Sequence, residues 1–299
     1  MDLRALARPS GALAMVALDQ RESLRTIVAE RSGRELDAVS DGEIRRLKAA
    51  IAAAVTPHAS AILLDTRFGL EPVREAAALA PSCALILAAD ELEQEPGMPV
   101  EETDLDEAVD VDAIDASGAV ALKLLVLWRG EGSRPRLESI VLAFLDRCRR
   151  ARVLSVLEAV VRPPRGVDAG SWDREAAILD AAQALSPLGP DLYKAEVPLH
   201  GRGDQDEIHD RCIALDAAIG RPWVLLSQGV DVDDFPAAVD AACRAGASGF
   251  LAGRAIWTDS IGPGGEDELR SRLEEIAVPR LRQLGELVDR IARPVGVPI

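Results

Sequence analysis

The chain has 299 residues, 48% of them hydrophobic, and a formal net charge of −16 at pH 7. This length and apolar content allow one large core, and barrels of about 250 residues commonly fold as single domains. The negative charge repels phosphate backbones and anionic lipid, which argues against nucleic-acid and membrane partners and requires a local positive pocket for any anionic ligand. No run of 18 apolar residues occurs and the start has no long apolar segment, so we expect a soluble, cytoplasmic protein.

Eight short apolar runs occur along the chain, and their near-continuous apolar character is typical of parallel strands buried on both faces. In chain order the predicted strands are 12–19, 60–66, 83–90, 119–128, 153–161, 191–197, 222–229 and 249–254. Helical patterns are found at 21–31 with 41–55, 72–80, 134–150, 173–185, 205–219, 233–245 and 266–292. The acidic, turn-rich segment 91–118 predicts a solvated loop with a short helix.

Eight β/α units predict a single (β/α)8 TIM barrel over residues 1–299. An open doubly wound sheet is the alternative, but no G-x-G-x-x-G motif follows the first strand. Active sites of such barrels lie at the carboxyl ends of the strands. Polar residues collect at these ends in Asp19, Gln20, Arg21, Asp65, Asp90, Glu91, Arg129, Arg162, Ser227, Gln228, Gly229, Gly253 and Arg254. We therefore expect the functional site at this rim.

Lysine is rare in this chain, because Lys48, Lys123 and Lys194 are the only three among 34 lysines and arginines. Two of them, Lys123 and Lys194, lie in predicted strands. Burial and a neighbouring cation lower the pKa of an ammonium and leave an amine that can attack a carbonyl, which arginine cannot do. The resulting iminium accepts electrons from a breaking C–C bond, as in metal-free aldolases.

Lys194 is therefore the candidate nucleophile, and Lys123 the candidate second charge beside it, since inward residues of alternate strands share layers in such barrels. The structural alternative is that Lys194 pairs with Glu196 on its own strand face.

Two carboxylates are candidates for proton transfer and substrate binding. Glu158 interrupts an apolar strand, which suits a proton shuttle, or a core carboxylate paired with Arg162 or Lys123. Asp19 ends the first strand, where it can bind substrate hydroxyls, keep a lysine charged or cap the next helix.

The ends of the last two strands, "LSQG" and "AGR", predict a phosphate site of backbone N–H groups with Arg254.

Neither a disulfide framework nor a metal site is predicted. The cysteines are far apart and lack a CxxC pair, so we expect buried, reduced thiols at Cys83, Cys148, Cys212 and Cys243. The histidines form no HxH or HExxH motif, so we expect ordinary surface or loop residues at His58, His200 and His209. Since a Gly-rich nucleotide loop is also missing, no cofactor is predicted.

Six segments occur in an order that matches a known family: "MVALDQRES", "ASAILLD", "ALKLLVLWR", "VLEAVVRPPR", "DLYKAEVPL" and "GASGFLAGRAIW". Together they resemble the sulfofructosephosphate aldolases of sulfoquinovose breakdown, within the wider class I aldolase group that contains tagatose-bisphosphate aldolase. The last two segments are shared in similar form by both families, whereas "LKLLVLWR" and "VVRPPR" favour the sulfosugar enzyme.

The resemblance implies retro-aldol cleavage of 6-deoxy-6-sulfofructose 1-phosphate to dihydroxyacetone phosphate and 3-sulfolactaldehyde. It implies that Lys194 forms the Schiff base, that Glu158 shuttles protons, that Lys123 tunes Lys194, and that Asp19 binds substrate hydroxyls. It assigns the phosphate to Ser227, Gly229, Gly253 and Arg254. Candidates for the sulfonate are Gln20, Arg21 and Arg129, and Asp65 is a further substrate-binding candidate at the rim. Gln228 departs from the small residue expected there and would narrow or re-aim the phosphate pocket.

Two other functions are considered. A tagatose 1,6-bisphosphate aldolase would need a second phosphate site, and an idle, metabolite-sensing barrel would not need four chemistry-bearing residues together. Barrels of this group usually associate, so we expect a homo-oligomer, a dimer or tetramer, to which the apolar stripe in "LRQLGELVDRIA" could contribute.

Overall fold

The computed structural model describes residues 2–95 and 97–296, and its centre is a closed barrel of eight parallel strands. The barrel strands are β1 (Leu13–Leu18), β2 (Ala61–Leu64), β3 (Ala84–Ala88), β6 (Ala121–Trp128), β7 (Leu154–Val161), β8 (Leu192–Ala195), β9 (Trp223–Leu225) and β10 (Gly249–Ala252). A separate antiparallel hairpin is made of β4 (Asp90–Glu93) and β5 (Glu102–Leu105). The predicted (β/α)8 barrel and all eight of its strands are confirmed.

Helices surround the barrel in the predicted order. They are α1 (Glu22–Ser32), α2 (Asp41–Val55), α3 (Leu70–Glu75), α4 (Val111–Ser117), α5 (Arg134–Ala151), α6 (Arg174–Leu185), α7 (Gln205–Ile219), α8 (Phe235–Ala245), α9 (Arg254–Trp257), α10 (Glu266–Arg272) and α11 (Val278–Ile291). A π-helical turn, Leu273–Ala277, joins the last two. None of the helices in the described part of the chain is long and apolar enough to span a membrane.

The strands are near-continuously apolar because both of their faces are buried. In β7, Leu154 and Val156 point into the barrel, whereas Leu157, Ala159 and Val161 face the helices. Side chains alternate along a strand, so Glu158 falls on the inward face above Val156. A polar residue at such a position therefore faces the barrel interior.

The hairpin β4–β5 corrects the prediction of a solvated loop for segment 91–118, although α4 confirms the short helix. Its strands have only four residues each and are rich in acidic side chains, which concealed them. Arginines from helix α5 and from the loops after β6 and β7 bind its second strand and the residue before it. Arg129 pairs with Glu101 at 3.3 Å, and Glu102 pairs with Arg136 at 3.0 Å and Arg165 at 2.7 Å.

Other predictions are confirmed with shifted boundaries. The helix expected at 72–80 ends at Glu75, and Ala77 takes a left-handed conformation with φ of 49°. The apolar stripe of α11 packs within the chain, since Leu281, Leu284 and Val288 are buried. All four cysteines are free and buried, as expected, and burial raises the pKa of the Cys83 and Cys212 thiols to about 12.

Candidate active site

Lys194 points into the barrel from β8 and forms an ion pair with Glu158. The two residues are direct register partners on β8 and β7, and the Lys194 Nζ lies 2.9 Å from the Glu158 Oε2. The alternative pairing of Lys194 with Glu196 is wrong. Glu196 lies beyond the end of β8, where it accepts hydrogen bonds from the Val161 N–H at 2.6 Å and from Arg174 at 3.0 Å. Lys194 therefore remains directed at the site.

Lys123 forms a second cationic centre, surrounded by three carboxylates. Its Nζ lies 2.5 Å from Asp19, 2.7 Å from Asp90 and 3.4 Å from Glu158. Burial opposes the charge of this lysine, but the attraction of Asp19, Asp90 and Glu158 outweighs it and raises the pKa of Lys123. Lys123 is therefore cationic at neutral pH and holds the three carboxylates together. Glu158 Oε2 bridges the two lysines.

Asp19 is ionised and belongs to this cluster, not to a helix cap. Burial opposes its charge, but the ammonium groups of Lys123 and Lys194 outweigh that effect and lower the pKa of Asp19. The first residue before α1 is Arg21, and no side chain caps that helix, so the capping alternative is wrong.

Asp90 is a site residue whose role was missed in the sequence. Besides binding Lys123, it accepts the Leu125 N–H at 3.1 Å, and its carbonyl accepts Arg21 at 2.7 Å. In the sequence, the feature that could have indicated this role is its position as a carboxylate at the end of an apolar strand.

All three lysines of the chain are buried against carboxylates. Lys48 reaches inward from α2 and pairs with Asp65, and both side chains are 0% exposed. Burial lowers the pKa of Lys48, and the Asp65 carboxylate opposes that shift. Asp65 also accepts the Phe68 N–H at 2.7 Å and does not line the cavity. Its prediction as a substrate-binding residue is therefore wrong, because both carboxylate oxygens are engaged within the fold.

Replacing Lys48 with methionine is expected to lower the free energy of unfolding by about 3–5 kcal/mol, because Asp65 would lose its counter-ion in a buried position. Urea denaturation followed by circular dichroism measures this. Arg46→Met is the matched control, since Arg46 lies on the same helix and its pair with Glu266 is 65% and 70% exposed. It should change the free energy of unfolding by less than about 1 kcal/mol. Equal effects in the two variants would contradict the prediction.

The cavity above these ion pairs has a volume of about 360 Å³. Its floor carries Asp19, Lys123, Glu158 and Lys194, and the hairpin contributes Leu92, Gln94, Pro99 and Val100. An apolar wall on one side includes Leu125 and Leu226, against which Val100 packs. The hairpin thus covers part of the barrel mouth and shields the ionic floor from water.

Two arginines line this cavity without a carboxylate partner. Arg162 donates to the carbonyl of Val161 at 2.9 Å, and within residues 2–95 and 97–296 neither Arg162 nor Arg254 forms an ion pair. Burial lowers the pKa of both guanidinium groups from the usual value of arginine. Uncompensated, partly buried guanidinium groups are suited to bind anions. Arg162 had not been predicted as a substrate-binding residue.

Most of the predicted anion-binding residues line the same cavity: Gln20, Arg21, Ser227, Gly229, Gly253 and Arg254. Gln228, the departure from the expected small residue, also faces it. The Gly253 N–H lies 3.4 Å from the Ser227 hydroxyl, and a Cβ at Gly253 would come within 2.4 Å of the Ala17 carbonyl oxygen. Only glycine fits that close approach of backbones.

Arg129, a predicted sulfonate ligand, does not line this cavity. Its guanidinium donates to the Pro163 carbonyl at 3.1 Å and to the Glu101 carbonyl at 3.2 Å. These bonds connect the loop after β6 with the hairpin and the loop after β7. Arg129 therefore links the loops at the mouth of the cavity.

No group of three or more His, Cys, Asp or Glu side chains in the described ranges is arranged to hold a metal ion.

A model of the DeoC/LacD family aldolases matches residues 13–259. The chain belongs to the DeoC/LacD family of aldolases. It is therefore a lyase of the class I aldolase type.

Relatives of this DeoC/LacD aldolase are similar over nearly the whole chain. The tagatose 1,6-diphosphate aldolase of Listeria monocytogenes serotype 4a is 28% identical, covering 98% of this chain and 92% of the relative. The tagatose 1,6-diphosphate aldolase of Lactococcus lactis subsp. lactis is 25% identical, and the match covers 98% of this chain and 95% of the relative.

Solved structures show the same fold. An archaeal fructose 1,6-bisphosphate aldolase superimposes with a TM-score of 0.61 at 16% identity, covering 96% of this chain and 98% of that one. The fructose-bisphosphate aldolase of Plasmodium falciparum superimposes with a TM-score of 0.64 at 12% identity, and the match covers 97% of this chain and 95% of that one. The DeoC/LacD chain thus shares its barrel with aldolases of low sequence identity.

Proposed function

We propose that this aldolase cleaves a ketose 1-phosphate through a Schiff base on Lys194 and releases dihydroxyacetone phosphate. The observation that carries the proposal is the Lys194 amine on the cavity floor, 2.9 Å from the Glu158 carboxylate. A carboxylate at this distance can accept the proton that the amine loses before it attacks a carbonyl. The complete set of Lys194, Glu158, Lys123 and Asp19 argues against an idle barrel.

In this mechanism the Lys194 nitrogen attacks C2 of the ketose and forms a carbinolamine. Glu158 donates a proton to the departing hydroxyl, and loss of water gives the iminium. Glu158, left ionised by that step, accepts the C4 hydroxyl proton as the C3–C4 bond breaks. The C4 fragment leaves as the aldehyde product, and the electron pair of the bond moves to the iminium and forms an enamine. Protonation at C3 and hydrolysis release dihydroxyacetone phosphate and restore the amine.

Asp19 and Lys123 have supporting roles in the proposal. Asp19 is an ionised acceptor at the cavity, where it can bind the substrate hydroxyls. Lys123 keeps Asp19 and Glu158 at fixed positions through its ion pairs. Pre-positioned charges of this kind accelerate a reaction because they need little rearrangement in the transition state. That Lys123 also tunes Lys194 stays a prediction.

The two unpaired arginines lie on opposite sides of the Lys194 strand. The barrel order places β7 on one side of β8 and β9 with β10 on the other. Arg254 follows β10 beside Ser227 and Gly253, which favours binding of the C1 phosphate there. Arg162 follows β7, so it can bind an anionic group at the other end of an extended ketose. This arrangement supports a substrate that is anionic at both ends.

We assign the second anion to a sulfonate, which makes the substrate 6-deoxy-6-sulfofructose 1-phosphate and the second product 3-sulfolactaldehyde. A sulfonate is a monoanion, whereas a phosphate monoester carries about −1.5 to −2 charges at pH 7. At that end the cavity offers one unpaired guanidinium, Arg162, while the Arg21 charge is shared with Asp90 at 3.3 Å. Gln20 is not part of this end, because its Nε2 lies 2.9 Å from the position of a Cβ built on Gly253, beside the proposed C1-phosphate site.

Tagatose 1,6-bisphosphate is the second candidate, because relatives at 25% and 28% identity are named tagatose 1,6-diphosphate aldolases. With this substrate the products would be dihydroxyacetone phosphate and glyceraldehyde 3-phosphate, and Arg162 would bind the second phosphate.

Kinetics with three matched ketoses test the assignment. 6-Deoxy-6-sulfofructose 1-phosphate and fructose 1,6-bisphosphate differ in the anionic group at C6, whereas fructose and tagatose 1,6-bisphosphates differ in configuration at C4. We expect kcat/KM for the sulfosugar to exceed that of both bisphosphates by at least about 100-fold, which corresponds to one charged contact and its desolvation. A preference for tagatose 1,6-bisphosphate would overturn the sulfosugar assignment and leave the Schiff-base mechanism standing.

Replacing Arg162 with glutamine should raise KM for the doubly anionic substrate by about 10- to 100-fold through the loss of one charge-assisted contact. Fructose 1-phosphate, which lacks the second anion, serves as the control substrate. Its KM should change by less than about threefold, since the substitution leaves Arg254 and the residues around it unchanged. Steady-state kinetics on both substrates measure the difference. Equal losses on both would remove Arg162 from the role.

A further inference from the structure

The turn after the Lys194 strand has an unusual backbone. Leu199 and His200 both have φ of 53°, with ψ of 21° and 23°, so two successive side-chain-bearing residues are left-handed. Within the described ranges, the other non-glycine residues with positive φ, Ala77 and Arg152, are isolated and lie at helix ends. Such backbone is unfavourable without glycine, and it tends to occur where function requires a fixed position.

Partly buried charged groups hold this turn in place. Glu175 accepts the Leu199 N–H at 3.1 Å, and Arg174 donates to the Val197 carbonyl at 3.3 Å. Arg174 also binds Glu196, which in turn accepts the Val161 N–H. The turn is thereby connected to α6 and to the end of β7. The surrounding structure imposes the strained conformation, and thus the direction of the His200 side chain.

The His200 ring lies against Gly229 in the loop after β9. A Cβ built on Gly229 would be 2.8 Å from the His200 Nδ1 and 3.2 Å from its Cε1. The neighbouring Gly201 makes a similarly close approach to Val230, with 3.1 Å between an added Cβ and the Val230 Cγ1. The His200 Nδ1 is buried and has no protein partner in the part of the chain described. His200 therefore packs directly against the loop that carries the predicted phosphate site.

We propose that His200 is a positioning residue that supports the backbone of Gly229, and through it the anion-binding loop Ser227–Gly229. This inference rests on the proposed function, because it needs that loop to bind the C1 phosphate. Gly229 has φ of 76°. As a glycine it has no side chain to fix this conformation, so the groups that pack against its backbone must hold it in place. The ring fills the space where a side chain would be. Its removal frees Gly229 to move and to misdirect the backbone donors.

The effect acts through position and not through charge. Burial lowers the pKa of His200, so the ring is neutral near pH 7. A neutral side chain of similar reach that tolerates left-handed backbone should therefore replace it. Asparagine meets both conditions, because it adopts this conformation more readily than most residues.

Steady-state kinetics and borohydride trapping with dihydroxyacetone phosphate test the proposal. His200→Ala should raise KM for the ketose phosphate, and the concentration that half-saturates trapping, by about tenfold, as for loss of one good hydrogen bond. Its kcat should stay within about threefold, because the Lys194–Glu158 pair is unchanged. His200→Asn should restore KM to within about threefold of the wild type. An unchanged KM in His200→Ala, or no rescue by asparagine, would overturn the role.

Leu199→Gly is the matched control in the same turn, since it removes one left-handed side chain and leaves the ring. It should keep KM within about threefold of the wild type. An equal rise in this variant would assign the effect to the turn as a whole and overturn the role of His200. Failure of the proposed function is distinguishable, because the wild type would then trap no adduct on Lys194. With the wild type trapped normally, the His200 variants alone decide the inference.

Discussion

Replacing Lys194 with methionine is expected to reduce turnover by at least about 10⁴-fold, the loss typical of removing a covalent nucleophile. Methionine keeps the length and the burial of the side chain but cannot form an iminium. Glu158 retains Lys123 as a counter-ion at 3.4 Å, so the fold should survive the change. Steady-state kinetics with circular dichroism separates lost chemistry from lost structure.

The scarcity of lysine makes the covalent test unusually clear. Reduction with borohydride in the presence of dihydroxyacetone phosphate should label one of only three lysines, Lys48, Lys123 or Lys194. Peptide mass mapping should find the adduct on Lys194. Lys194→Arg keeps the charge and should trap nothing, since a guanidinium does not form a Schiff base. A label on Lys123, or full activity in either variant, would contradict the mechanism.

The barrel was predictable because its strands carry a signal that does not depend on distant contacts. Strands buried on both faces are apolar throughout, and turn residues separate them from the helices, so all eight were found. The hairpin β4–β5 was missed for the opposite reason. Its strands expose acidic residues such as Glu91 and Glu93, and they are stabilised by arginines that lie far away in the sequence.

The sequence identified which strand residues belong to the site, but it did not identify the ion pairs that they form. Lys194, Glu158 and Lys123 were found because charge within an apolar strand is conspicuous, and the strand period places all three on the inward face. Their partners depend on the closed barrel, which brings Asp90 to Lys123 and leaves Glu196 to Arg174.

Arginines were hardest to place, because a long side chain at a strand end can turn into the cavity or across its rim. Arg162 turns into the cavity, and Arg129 turns across the rim. A pattern in the sequence does not distinguish these two outcomes.

Replacing Glu158 with glutamine should lower kcat by about 10²–10⁴-fold, the usual contribution of a general acid–base group. The amide has the same shape and can still accept a hydrogen bond from Lys194, but it cannot take up and return a proton. Attack on the ketone requires only that some amine be neutral, whereas dehydration of the carbinolamine requires a proton donor. The variant should therefore still trap an adduct on Lys194, more slowly than the wild type.

Glu196→Gln is the matched control for this change, because Glu196 is equally buried, follows the Lys194 strand and binds Arg174 outside the cavity lining. Its kcat should stay within about fivefold of the wild type, as expected for a residue that takes no part in proton transfer. Full activity of Glu158→Gln would leave Lys194 as the nucleophile but remove the proton shuttle. If kcat fell equally in the two variants, the loss would come from removing a buried charge and not from removing a proton-transfer group. A selective loss, with the adduct still formed but more slowly, would support Glu158 as the group that moves protons during iminium formation and C–C cleavage.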